Sequence, residues 1–255
     1  FMKVSEIVWN AIFEKYNILK HDFNTKPYLI STEQINYETA HFRKSNNKNN
    51  SFLYKQYCRE DRPNIFKKNN LFLLPVGKKQ YALLKGEGYF DIPAITNPSL
   101  THESILNFPL ETYLNKDNMQ HLDFAYASSL IRTFMDDDTL VLTIRGRKYT
   151  PEFTFKVGEQ QLTVKGVQTE IDAGYEGKNQ LVLIEAKNSH TNNVIIRQLF
   201  YPFRQWSHYL NKKVVTLFFE KRDDFYYIWL FEFTDKNNYN SIKLIKSKKF
   251  KINQH

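Results

Sequence analysis

The chain has 255 residues, 42% hydrophobic and 16% aromatic, enough to bury a sizeable core and too apolar for a disordered chain. No apolar run approaches a membrane span, and the single Cys58 excludes an intramolecular disulfide and a zinc site of the paired-Cys type, so a cytoplasmic protein is expected. The formal charge of +9 points to a polyanionic partner. It sits at the two ends. Residues 1–117 hold 16 basic and 12 acidic side chains (+4), residues 118–212 hold 11 and 10 (+1), and residues 213–255 hold 9 and 5 (+4). A solvated lysine-rich surface would produce the same balance.

Residues 4–16 place Val8, Trp9, Ile12, Phe13 and Tyr16 on one side of a helix. Ser31-Thr32-Glu33-Gln34 has the form of a capping box opening a second helix. A helical DNA reader and an ordinary helical hairpin both fit this pair. Residues 44–51 are a polar run without periodicity, preceded by Arg43. The next stretch, 54–69, concentrates Lys55, Arg59, Arg62, Lys67 and Lys68 among aromatics. Two strands come next, Leu71 to Leu74 and Tyr81 to Leu84, around a turn that presents Lys78 and Lys79. Such cations suit phosphate contact or base reading in a groove. Residues 93–117 contain Pro93, Pro98 and Pro109 and read as a connection, with a boundary near Leu114 separating residues 1–114 from 115–255.

From Asp117 a helix with Leu122, Tyr126, Leu130, Ile131 and Phe134 on its apolar face should stop at Asp136-Asp137-Asp138. Two strands are predicted over 139–157 around a turn of three cations, Arg145, Arg147 and Lys148, and a further strand over 160–172. Residues 167–188 form the centre of the chain. The first strand here ends in Glu170 and Asp172, on one face by alternation. The second runs Leu181 to Ile184, apolar on both faces, and ends in Glu185-Ala186-Lys187. Carboxylates and an ammonium at the end of a covered strand are costly without partners, which a divalent cation and a phosphate would supply. An ion pair on a surface hairpin is the plainer alternative. After Lys187, Asn192 can cap a helix to Leu210 with Ile196, Leu199, Phe203, Trp206 and Leu210 inward. Gln198, Tyr201, Gln205 and His208 form a polar stripe opposite, flanked by Arg197 and Arg204, and Pro202 should kink it. Residues 213–221 and 225–234 are apolar strands, and 241–252 alternates lysines with apolar residues as a lysine-protected edge strand would.

Ile171-Asp172 followed by Glu185-Ala186-Lys187 resembles the motif of the PD-(D/E)xK nucleases. A second Glu-x-Lys, Glu176-Gly177-Lys178, lies in the Gly-containing turn and is set aside. The Arg59–Tyr89 segment, with Arg59-Glu60-Asp61-Arg62-Pro63, partly resembles the amino-terminal half of certain type II restriction endonucleases, and Ile-Arg-Gln-Leu-Phe-Tyr-Pro after Lys187 is similar to their helix beside the active site. The resemblance implies an α/β (α+β overall) fold: a restriction-endonuclease-like mixed sheet flanked by helices over 115–255, with an N-terminal α+β recognition region over 1–114. It implies a Mg²⁺-dependent, sequence-specific endonuclease acting on double-stranded DNA, a homodimer where the target is palindromic. Asp172, Glu185 and the Ala186 carbonyl would hold the metal and Lys187 would position or deprotonate water, with Glu170 and Gln198 assisting. Arg43, Lys55, Arg59, Arg62, Lys78, Lys79, Arg145, Arg147, Lys148, Arg197 and Arg204 are the candidate DNA contacts. A repair or recombination nuclease, a non-catalytic DNA-binding protein with a vestigial core, and a ligand-binding α/β domain unrelated to DNA remain the alternatives.

Overall fold

Val8, Trp9, Ile12 and Phe13 recur at helical spacing and are all buried on one side of α1 (Val4–Lys15). The computed structural model describes residues 3–41, 51–110, 118–188 and 190–253; the polar run at 44–50 lies outside them. α2 (Thr32–His41) opens on the predicted capping box: Gln34 N donates to Ser31 Oγ at 3.1 Å, and Ser31 N donates to Gln34 Oε1 at 2.8 Å. The short α3 (Ser51–Tyr54) and α4 (Asn64–Lys68) complete this helical layer, where Trp9 meets Phe66 edge-on at 4.8 Å.

Against these helices lies an antiparallel sheet of β1 (Tyr28–Ser31), β2 (Leu71–Gly77) and β3 (Gln80–Lys85), with β3 central. Both of its faces are covered. Leu71, Leu73 and Leu83 point to the α1 side, while the alternate residues Phe72, Leu74, Ala82 and Leu84 enter the core built by residues beyond 88. This one sheet therefore ties the amino-terminal region to the rest of the chain, each buried apolar side chain contributing about 1.5–3 kcal/mol.

The remaining elements are β4 (Tyr89–Asp91), β5 (Leu100–Glu103), α5 (Asn118–Ala127), α6 (Leu130–Met135), β6 (Val141–Tyr149), β7 (Phe153–Val157), β8 (Gln160–Val164), β9 (Gln168–Glu176), β10 (Gln180–Lys187), β11 (Asn193–Ile195), α7 (Arg197–Tyr209), β12 (Lys213–Arg222), β13 (Phe225–Phe233) and β14 (Ile242–Asn253). Seven of the strands form a mixed sheet in the order β5-β14-β13-β12-β10-β9-β6. β10 and β12 are parallel, joined across α7, and β14 and β5 are parallel; the other neighbours are antiparallel. β10 is covered on both sides, as its apolar run predicts. Leu181 and Leu183 pack with Leu199 and Phe200 of α7, and Val182, Ile184 and Ala186 pack with Leu122 of α5 and Ile131 of α6. The chain is thus a mixed α+β protein with several sheets and flanking helices. No helix among the described residues is long and apolar enough to cross a membrane.

Several boundaries differ from the sequence reading, each for a local reason. The connection over 93–117 contains β5, whose register is supplied by β14 and not by any periodicity of its own. The helix predicted from Asp117 breaks at Ser129, which takes a left-handed φ of 69° and starts α6 anew. Arg145, Arg147 and Lys148 do not form a turn. They lie inside the edge strand β6, where Gly146 at φ +83° absorbs a register slip against β9. Residues 160–172 are two strands, β8 and β9, separated at Gly166, and β9 continues past Asp172 to Glu176. The helix after Lys187 starts at Arg197 and not at Asn192, because residues 193–195 pair as β11 with β4. β14 is covered by β5 over Phe250–Asn253, so only part of it is an edge.

Candidate active site

Asp172 owes its position to an irregularity. Between the pairs Ile144↔Gly174 and Gly146↔Ile171, β9 advances three residues while β6 advances two, a bulge at Asp172–Ala173. Ile171 and Ala173 consequently enter different cores although they lie two apart. The β9–β10 ladder ends at Ala173↔Ile184, and where the strands part Ala186 N donates to Asp172 Oδ2 at 2.7 Å. Beyond that point β10 is held by β12 through Lys187↔Glu220, which keeps Glu185 and Lys187 on the α7 face.

Asp172, Glu185 and Lys187 line one cleft of about 350 Å³, with Glu170, Ala186, Arg197 and Gln198 in its wall. Glu185 is only 8% exposed. Its Oε1 accepts from Lys187 Nζ and, at 2.6 Å, from Gln198 Nε2. Burial pushes the Glu185 carboxyl up to about 7 against the opposing pull of Lys187, and burial likewise raises Asp172, offset by the Ala186 amide. Burial works to lower the Lys187 ammonium, but the Glu185 and Asp172 carboxylates outweigh it and leave it raised. Two carboxylates near a cationic partner thus carry a desolvation cost that one ammonium only partly offsets. Gln198 Oε1 and Arg197 Nε are buried without a hydrogen-bond partner. Pro202, in the same wall, has no N–H to give the carbonyl of residue 198, one turn earlier.

This donor set fits a hard divalent cation. Mg²⁺ commonly takes one or two carboxylates and completes its shell with water and phosphate oxygen. Asp172, Glu185 and the Ala186 carbonyl would hold it. Among the described residues no group of three or more His, Cys, Asp or Glu is placed to hold a metal, so the site offers no closed protein cage of the kind zinc prefers.

The other sequence candidates divide sharply. Glu170 is exposed in the cleft wall, 3.6 Å from Arg147 across the β6–β9 pair, so Arg147 reaches the site's edge. Arg145 is ion-paired with Asp123 and lies near enough to Asp172 to favour its ionised form. Lys148 is exposed on the same strand. Lys55 and Lys78 line a neighbouring cleft, and Lys79 is exposed, 3.4 Å from Glu33. Arg59 and Arg62 are not turned to a groove: Arg59 is paired with Asp91 and Glu87, and Arg62 donates to Leu71 O at 3.0 Å and lies over the Tyr89 ring. Arg204 is likewise turned away, over the Phe153 ring and toward Thr154 O. Arg43 lies outside the described residues.

The stripe expected to be wet is largely inside. Tyr201 donates to Pro75 O at 2.9 Å, and the buried Gln205 accepts from Thr169 Oγ1 at 2.7 Å, because α7 packs against both β9 and the amino-terminal sheet. Sequence reasoning missed Tyr57, which lines the cleft from across the molecule. Its carbonyl accepts from Ile195 N at 2.8 Å, and Asn193 grips the same segment through Arg59 N and Glu60. Only its position among the cations of 54–69 set it apart.

Residues 84–251 match the family described as "Domain of unknown function (DUF6997)", and residues 6–83 match "Domain of unknown function (DUF6996)". The chain belongs to the DUF6997 family. No curated protein and no solved structure matches it.

Proposed function

We propose that this chain is a metal-dependent endonuclease that hydrolyses phosphodiester bonds in double-stranded DNA, of the type II restriction class, with a restriction-endonuclease-like catalytic core and a sequence-reading amino-terminal region. The observation that carries this reading is the convergence of Asp172, Glu185 and Lys187 on one cleft where β9 and β10 part. The overall charge of +9 supports a polyanionic substrate.

In this reading Asp172, Glu185 and the Ala186 carbonyl would hold Mg²⁺, which would offset the charge that develops on the phosphoryl and departing oxygens. Lys187 stays protonated at neutral pH, since Glu185 and Asp172 hold its ammonium up. It therefore orients the attacking water and screens the phosphate rather than removing a proton. Gln198 fixes the Glu185 carboxylate by its amide N–H, and its buried, unpartnered oxygen leaves an acceptor free beside the site. Arg197 supplies a second positive charge at the cleft wall, and Arg147 one at its rim. A palindromic target would match a homodimer.

The test is digestion of a plasmid of known sequence with and without Mg²⁺, with the ends mapped. Discrete fragments with common end sequences, lost in EDTA and in Lys187→Ala, are expected. Absent cutting by the intact protein removes the nuclease reading, and random ends remove the restriction class.

A further inference from the structure

Beside the carboxylate cleft lies a second one of about 430 Å³, lined by Tyr54, Tyr57, Tyr81 and Tyr149 together with Lys55 and Lys78. The two clefts share Tyr57, Gln168 and Arg197 as wall residues, so they adjoin. Its volume falls in the range of roughly 300–1,000 Å³ typical of small-ligand sites. Tyr54 and Tyr81 are stacked, with centroids 4.7 Å apart and planes 11° from parallel. Tyr57 and Tyr149 are 41% and 63% exposed. Among the described residues no acidic side chain lines this cleft, and two donors in its wall, Tyr54 Oη and Arg197 Nε, are buried without a partner.

The exposed rings of Tyr57 and Tyr149, two lysines and unspent donors, next to the proposed phosphate site, suit a ligand that is flat, aromatic and anionic. An acidic peptide would use the lysines and leave the rings idle. A nucleotide uses all three features, since base–aromatic stacking tolerates any base and the cations follow the backbone. We propose that this cleft receives an unstacked base of the DNA strand whose phosphate lies between Asp172, Glu185 and Lys187. Arg197 joins the two halves of the binding site: its charge acts on both Glu185 and Tyr81. The identity of the phosphate rests on the nuclease reading above; the base-holding cleft rests on its own residues.

The experiment uses the full chain in EDTA, so that no strand is cut, with a short single-stranded deoxyoligonucleotide carrying 5-iododeoxyuridine. Irradiation followed by peptide mass spectrometry should place adducts on Tyr54, Tyr57, Tyr81 or Tyr149. Tyr57→Ala should weaken binding about tenfold, and Tyr57→Phe should bind as the parent does. Adducts confined to other surfaces, such as the lysines of β14, overturn the proposal. Equal labelling of these tyrosines by free 5-iododeoxyuridine monophosphate overturns it too, assigning the cleft to a free nucleotide. Plasmid cutting together with adducts elsewhere removes the cleft proposal alone. Adducts on the tyrosines without any cutting in Mg²⁺ remove the nuclease reading and leave a strand-binding cleft.

Discussion

Glu185 sits in the cleft wall with one ammonium and one amide N–H as its partners, and burial has raised its carboxyl from 4.5 to about 7. A carboxyl whose folded pKa exceeds the unfolded one binds the extra proton in the folded state. That contribution is complete below pH 4.5 and is lost as pH climbs through 7; the raised Asp172 acts in the same direction, and Lys187 titrates too high to matter in this window. Thermal melts in EDTA should therefore show stability declining from about pH 4.5 to about 8 by an amount of order 3 kcal/mol. Glu185→Gln should flatten the profile and Mg²⁺ should restore stability at the alkaline end; a profile rising through that range contradicts the site described. In the cleavage assay Glu185→Gln and Lys187→Met should each lose about 10²-fold or more, read as initial rates under Mg²⁺. Cys58 offers a contrast. Burial, with Asp61 adding to it, pushes its thiol up to about 11. It should alkylate far more slowly at about pH 8 than a free thiol, as a timed iodoacetamide reaction would show.

At the scale of the element, the site depends on how β9 bends. Gly174 lies at the bulge, and a Cβ there would stand 2.8 Å from Ile144 Cβ and 3.3 Å from Leu183 Cδ2. Gly174→Ala should cost about 1–3 kcal/mol in urea unfolding and reduce cleavage further than stability alone explains, because Asp172 hangs from the same bend. An unchanged midpoint would show that the strand relaxes freely. The amino-terminal capping box is simpler: Ser31→Ala should cost about 1 kcal/mol and leave the site geometry alone. These elements also show what a sequence can disclose. β10 was legible because four apolar residues in a row demand cover on both faces, and Glu185 and Lys187 came from alternation. The bulge was not legible, since it arises from the mismatch of two strands some thirty residues apart. Nor were β5 and β11, short strands defined by partners distant in the chain and not by their own pattern. The intramolecular partners of Arg59 and Arg62 were not legible either, because a cation among aromatics reads the same whether it faces phosphate, a carboxylate or a carbonyl.

Across the whole molecule, the charge of +9 and the shared sheet of the amino-terminal region set the expectation for binding. Duplex affinity should fall steeply with salt, by roughly 10³-fold between about 50 and 200 mM where six or more phosphates are neutralised, as a filter-binding titration would measure. A flat response would separate this surface from any role with nucleic acid. β5 adds a temporal constraint. Its only ladder partner among the described residues is the end of β14, and Asn253 donates to Glu103 at 3.0 Å across 150 positions of sequence. During synthesis, then, this strand must wait, unpaired, until nearly all of the sheet has left the ribosome. Completion of the sheet thus waits for β14, so a chain cut short before β14 would keep that rim of the sheet open and prone to sticking to other chains.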